Sequence, residues 1–295
     1  MKLAHSIDWP EEYKRGLVVV AHADDAEYGC SGTVARLVAE GWDMAYVLCT
    51  DGSKGSSDPD ITEAQLSELR REEQENAGKI LGLSNVAFLG HPDSYLQPTL
   101  DLRRDIAREI RRQKPDIVIC QYPMRVLDGG FGSGHPDHMA AGDTALSAIF
   151  PTARDHMTFP ELIEEGFEPH KVAEAWIMGH PEPDLWIDIS NHMETSIKAL
   201  TAHVSQMSGK SYDEVLERML EWRGERGKGK GMPQADANQG VSSSETPDHR
   251  RQPVHVPATL PYVTAYPPVA GVPDRTLPIH RPGRLHRTVA RQNSQ

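Results

Sequence analysis

The stretch Val18-Val19-Val20-Ala21-His22-Ala23-Asp24-Asp25-Ala26-Glu27 constrains this chain more than any other. An apolar run ends there in one imidazole and two adjacent carboxylates, and Gly29, Ser31 and Gly32 lead on into a helical pattern. A strand that is apolar at successive positions is buried on both faces. His and Asp side chains at its end then stand at the carboxyl edge of a sheet, where α/β folds bind ligands. A second stretch of the same kind, Gly134-His135-Pro136-Asp137-His138, follows the strand-like run Asp116-Ile117-Val118-Ile119-Cys120. Two such edges, each carrying His and Asp, can converge on one metal ion.

The surrounding pattern supports that placement. Ser31-Gly32-Thr33 opens a helix with Val34, Leu37 and Val38 on one face, stopped by Gly41. Strand signals over 43–50, 86–89, 116–120, 173–178 and 185–189 alternate with helical signals over 62–81, 100–113, 139–149 and 212–222, with a further helix running to about Ser205. Asn191 and Glu194 are spaced as a capping box for that helix. Such alternation predicts an α/β fold, a mostly parallel sheet with helices on both faces. The polar loop 51–59 falls at the same sheet edge as His22, either as an ordinary surface loop or as a lid over substrate.

Composition bounds the remaining classes. The 295 residues hold 43 acidic and 31 basic side chains, a net charge of −12. That balance argues against nucleic-acid binding, which relies on Lys and Arg at phosphates. Three cysteines without CxxC spacing suggest reduced thiols in a cytoplasmic protein. Neither an apolar signal core at the N-terminus nor a run of membrane-spanning length is present, so no membrane partner is expected. Lysine vanishes after Lys230, while proline and arginine accumulate. The expected division is therefore a folded domain over 1–230 and a disordered Pro/Arg-rich tail over 231–295, dispensable for folding and metal binding.

A catalytic zinc typically takes three protein ligands from His, Asp or Glu and keeps one position open. His22, Asp25 and His138 can fill such a set. Asp24, its neighbour in sequence, is then free to act as a general base, and His135 can stabilise a developing oxyanion or protonate a leaving group. Geometry and availability would select zinc for this donor set, with Fe2+ or Co2+ able to substitute.

Ala21-His22-Ala23-Asp24-Asp25-Ala26-Glu27, the Gly32-Thr33 that follows, and His135-Pro136-Asp137-His138 resemble the zinc-dependent GlcNAc-PI de-N-acetylase (PIG-L), or LmbE-like, family. Thr50-Asp51-Gly52, Arg70 with Glu73, and Phe88-Leu89-Gly90 with Asp93 fit the same running pattern, closest to its diacetylchitobiose deacetylase branch. Ala23 stands where the usual first motif has proline. The resemblance covers about residues 14 to 205. It implies a Rossmann-like fold and hydrolysis of an N-acetyl group on an N-acetylglucosamine-type sugar or conjugate. It implies zinc on His22, Asp25 and His138, with Asp24 as acid/base and His135 at the oxyanion. Asp137 would orient His135 or the fold around it, and Arg70 and Asp93 would bind sugar hydroxyls. Some members carry a catalytic Tyr before the second motif, where this chain has Phe131 and Ser133. Related enzymes form homo-oligomers, so self-association is a further expectation. Two other classes compete: a non-catalytic sugar- or nucleotide-binding module, weakened by the lack of GxGxxG after the first strand, and a scaffold that recruits partners through its tail.

Overall fold

The computed structural model describes residues 10–126, 134–207 and 209–242, together with the backbone of 2–4. In chain order the elements are β1 (Lys2–Ala4), β2 (Arg15–Val20), α1 (Asp25–Gly29), α2 (Ser31–Ala39), β3 (Asp43–Thr50), α3 (Glu63–Leu81), β4 (Asn85–His91), α4 (Leu100–Gln113), β5 (Ile117–Gln121), α5 (Pro136–Ser147), α6 (Glu161–Glu164), β6 (Glu174–Met178), β7 (Leu185–Asp188), α7 (Met193–Thr201), α8 (Tyr212–Gly227) and β8 (Ala235–Ser242). Short 3-10 or π-helical turns join some of them. The strands form one sheet in the order β1-β7-β8-β6-β5-β2-β3-β4.

The period of two in the central strands builds two cores. Val18 and Val20 of β2, Met44, Tyr46 and Leu48 of β3, and Ile117 and Ile119 of β5 pack with α1, α2, α3, α7 and α8. The alternate residues Leu17 and Val19, Ala45 and Val47, and Val118 and Cys120 pack with α4, α5 and α6. Each central strand is therefore apolar throughout because both of its faces are covered. The expected α/β architecture is what forms.

The chain runs outward from β2 through β3 to β4, then returns to place β5 on the other side of β2. All these neighbours pair in parallel. The reversal between β2 and β5 opens a crevice at their carboxyl ends, the place where open α/β sheets take ligands. Gln121 at the end of β5 fastens the two edges, its Oε1 accepting from the Ala21 N–H at 3.0 Å. Gly142 lets α5 lie against the same edge, since a Cβ there would meet the Gln121 carbonyl oxygen at 2.2 Å.

Two expectations change. The capping box of Asn191 and Glu194 does not form: α7 begins after a 3-10 turn and its N-cap, His192, makes no side-chain cap. Asp188 accepts from the backbone and hydroxyl of Ser190 there instead. The domain also does not end at Lys230. Residues 235–242 form β8, inserted antiparallel between β6 and β7. Inside it, Asp236 is buried and pairs with Arg223 of α8. The part of the proposed tail from residue 243 onward lies outside the described residues.

Candidate metal centre and catalytic cleft

Asp24, immediately after β2, adopts the left-handed conformation, φ 78°, which costs an aspartate less than most residues. The turn separates the two adjacent carboxylates. Asp25 opens α1, and one of its oxygens accepts from the His22 backbone N–H at 2.7 Å. Across the crevice, His135 caps α5 and Pro136 occupies the first turn, so that His138 projects from that helix toward β2.

The three expected ligands meet. His138 Nε2 lies 3.0 Å from Asp25 Oδ1, His22 Nδ1 lies 3.2 Å from His138 Nε2, and His22 Nδ1 lies 3.3 Å from Asp25 Oδ2. Two ligands each about 2.1 Å from a tetrahedral zinc stand about 3.4 Å apart. The spacing therefore fits one small cation, and nitrogen with carboxylate oxygen is a donor set that zinc accepts. His22, His135 and His138 also bring ligand atoms within 4.8 Å of one another, as do His22, Asp93 and Asp137. The Asp25 set is the tighter one, and His135 already uses its Nδ1 to accept the Asp137 backbone N–H at 3.2 Å.

Behind His22 stand the two carboxylates that sequence reasoning assigned elsewhere. His22 Nε2 lies 3.1 Å from Asp137 Oδ2 and 3.3 Å from Asp93 Oδ1. This fixes Nδ1 as the nitrogen facing Asp25 and His138, as outer carboxylates do for metal-bound histidines. Asp137 is fully buried and accepts from the Ser94 and Leu96 backbone N–H groups. Its carboxylate thus orients His22, whereas only its backbone touches His135. Asp93 is buried too, accepts from the Lys54 N–H, and lies 3.6 Å from Arg70. Arg70 donates to the carbonyls of Gly52 and Lys54, which pins the start of the 51–59 loop. Neither Arg70 nor Asp93 lines the cleft described below; Arg70 lines a separate small hollow with Asp51, Gly52 and Arg71.

The charges are strongly shifted. Burial alone would lower the His22 pKa, but hydrogen bonds to Asp137, Asp25 and Asp93 override it and push it up to about 12. Burial would raise Asp25, yet His138 and His22 hold it well below the usual carboxylate range. Burial likewise opposes ionisation of Asp93, which His22 and the Lys54 N–H bring down to about 2. The cage calls for positive charge, and a proton on His22 or a divalent cation satisfies it. Asp24 behaves differently: burial and the neighbouring Asp25 push it up to about 8. His135 is lowered by burial and by His22 and His138, so it is neutral at pH 7. With Nδ1 accepting, its proton resides on Nε2.

A buried polar network behind Asp24 was not anticipated. Gln74 Oε1 accepts from the Asp24 N–H at 3.4 Å, while Gln74 Nε2 donates to Glu27 at 3.1 Å. Glu27 in turn lies 3.3 Å from His203 Nε2, and both residues are fully buried. The one sequence signal was a glutamate between Ala26 and Tyr28, inside a segment otherwise built for packing.

An open cleft of about 480 Å³ begins at Asp25, His135 and His138 and is walled by Tyr28, Tyr122, Met178 and Trp222. Phe131 and Ser133, named above against the tyrosine of some family members, lie outside the described residues.

Comparison with known proteins accords with this geometry. Residues 17–149 match the family described as PIG-L, GlcNAc-PI de-N-acetylase. The chain is 32% identical over 206 residues to the diacetylchitobiose deacetylase of Thermococcus kodakarensis, covering 70% of this chain and 75% of that protein. It is 27% identical over 221 residues to the probable N-acetyl-alpha-D-glucosaminyl L-malate deacetylase 2 of Bacillus anthracis, covering 70% and 90%. Its fold matches the N,N'-diacetylchitobiose deacetylase of Pyrococcus horikoshii with a TM-score of 0.69 at 24% identity, covering 78% and 85%.

Proposed function

Since the chain belongs to the PIG-L family of GlcNAc-PI de-N-acetylases, we propose that it is a zinc-dependent hydrolase of the N-acetyl group on an N-acetylglucosamine-type sugar or conjugate, releasing acetate and a free amine. The observation that carries the reading is the convergence of His22, Asp25 and His138 donors at 3.0–3.3 Å from two separate strand edges. A bound zinc there would supply Lewis-acid chemistry, making water acidic near neutral pH.

The chain's own groups then have distinct work. Asp137 and Asp93 hold His22 in the tautomer that turns Nδ1 toward the site. Asp24, raised to about 8 in the absence of a cation, would be lowered by one into its ionised form, and its carboxylate takes the proton of the attacking water. The same oxygen returns that proton to the departing nitrogen as the acetamide C–N bond breaks. His135, neutral with its proton on Nε2, donates a hydrogen bond to the carbonyl oxygen as negative charge develops. Cys30, Cys49 and Cys120 are free and buried, which supports a cytoplasmic setting. Among the described residues no helix is long and apolar enough to cross a membrane.

The direct test is a panel of N-acetylated amino sugars incubated with zinc-loaded protein and assayed for primary amine. Amine release from at least one N-acetylglucosamine derivative is expected. Binding of these sugars without any amine release would favour the non-catalytic module instead.

A further inference from the structure

The peptide unit between Ala23 and Asp24 is held at both of its polar ends by glutamine side chains from two other elements. Gln74 of α3 accepts from the Asp24 N–H through Oε1 at 3.4 Å. Gln206, in the 3-10 turn Val204–Gln206 that follows α7, donates through Nε2 to the Ala23 carbonyl at 3.1 Å. The two arms are tied to each other. Glu73, the neighbour of Gln74, accepts from the N–H and the hydroxyl of Ser205 at 2.7 Å each, and Ser205 is the neighbour of Gln206. Gln74 is fully buried, and its surroundings orient its amide. Its Nε2 donates to one oxygen of Glu27 at 3.1 Å, and the other oxygen of Glu27 lies 3.3 Å from His203 Nε2. A carboxylate only accepts, so Gln74 must turn Nε2 to Glu27 and Oε1 to Asp24.

The held peptide is the centre of a strained turn. Ala23 and Asp24 are its middle pair, and Asp24, with φ 78° and ψ −21°, has the conformation of the third residue of a type II turn. Turning the 23–24 peptide over would convert this to a type I turn, in which Asp24 has a negative φ and no strain. Proline is common at the second position of such turns because its ring presets φ, but this chain has Ala23 there. Side chains must therefore hold what the backbone does not. We propose that Gln74 and Gln206 are positioning residues for Asp24, gripping the 23–24 peptide by its N–H and its carbonyl so that the turn cannot relax and the Asp24 carboxylate stays aimed at the attacking water. Glu27 and His203 hold the Gln74 arm in register. This rests on the deacetylase reading and adds to it what keeps the base in place.

The test removes each arm in the full-length, zinc-loaded protein. Gln206→Leu is the cleaner variant, since Gln206 Oε1 has no partner among the described residues and only the Ala23 carbonyl is left unpaired. Gln74→Met removes the other arm but also orphans a Glu27 oxygen, so Gln206→Leu decides the matter if that protein fails to fold. Steady-state amine release is read on the N-acetylated sugar that the panel identifies as a substrate, with zinc affinity measured by a competing dye. Each variant should lower kcat by about tenfold or more, as misplacing a reacting group by roughly 1 Å does, with KM and zinc affinity within about twofold. The two losses should combine to less than their product, because either one releases the same peptide. A crystal structure of Gln206→Leu should show a conformer with the 23–24 peptide turned over and a negative φ at Asp24. Unchanged kcat in Gln206→Leu, a loss that comes with loss of zinc, losses that multiply in full, or Asp24 still held in one conformer near 78° would overturn the proposal. Absence of amine release from the unmodified protein, with the peptide turned over in Gln206→Leu, would instead count against the deacetylase reading while supporting the grip.

Discussion

Replacing Asp236 by alanine should destabilise the whole domain, although the residue lies beyond the segment that looks folded in the sequence. Asp236 is fully buried and accepts from the Thr33 backbone N–H at 2.8 Å and its hydroxyl at 2.7 Å. It also pairs with the buried Arg223, which donates to the Tyr28 carbonyl at 2.9 Å. One carboxylate thus ties β8 to α2 and, through Arg223, to the end of the helix that Asp25 opens. Removing one partner of a buried ion pair costs about 3–5 kcal/mol, because the remaining charge is left uncompensated. That is a large share of the roughly 5–15 kcal/mol that holds a domain folded. At about 2–4 °C per kcal/mol for a domain of this size, the melting temperature should fall by roughly 6–20 °C. Urea unfolding of the zinc-loaded protein, followed by tryptophan fluorescence, measures the loss. The double variant Arg223→Met/Asp236→Ala should recover part of it, since no orphan charge remains. A chain ending after Lys230 should fail to fold cooperatively, whereas one ending after Thr246 should fold. A cost below about 1 kcal/mol for Asp236→Ala, with cooperative unfolding of the chain ending at Lys230, would refute the reasoning.

Other outcomes follow from the site. Asp24→Asn should keep the metal and lose activity by about 10²-fold or more, whereas Asp25→Ala should lose metal and activity together; metal analysis beside steady-state kinetics separates the two. Asp137→Asn should weaken metal binding by about 10–100-fold through loss of the His22 partner, read by competition with a chelating dye. In the metal-free protein the His22 pKa is raised to about 12, so the ring carries a proton throughout the neutral range. Zinc must displace that proton, so apparent zinc affinity should rise with pH, and calorimetry in buffers of different ionisation enthalpy should detect about one proton or more released per ion. No proton release at pH 7 would contradict the carboxylate cage around His22.

Much of the fold was legible because its signals are local. β2, β3 and β5 are apolar throughout, and the helical signal over 62–81 coincides with α3. The three ligand candidates were legible because two of them, His22 and Asp25, share one strand end, and the third follows another strand end closely. The contacts of Asp93 and Asp137 were not, because both are made to the far nitrogen of a histidine supplied by a different strand. Nor was Arg70, whose place against Gly52 and Lys54 depends on where α3 packs. β8 escaped for a different reason. Ala235-Asp236-Ala237-Asn238-Gln239-Gly240-Val241-Ser242 has one β-branched residue, and its strand conformation comes from pairing on both sides with β6 and β7. Strand formation of that kind depends on neighbours more than on intrinsic propensity.

The most direct test of the central claim is a zinc titration of the stripped, full-length protein, with amine release from the N-acetylated sugar that the panel identifies as a substrate recorded at each addition. With His22, Asp25 and His138 as the proposed donor set, turnover should be absent without metal, rise in proportion to added zinc, and level off at about one ion per chain. His22→Ala and His138→Ala should remain inactive across the same range. Full turnover in protein verified to be metal-free would contradict the account.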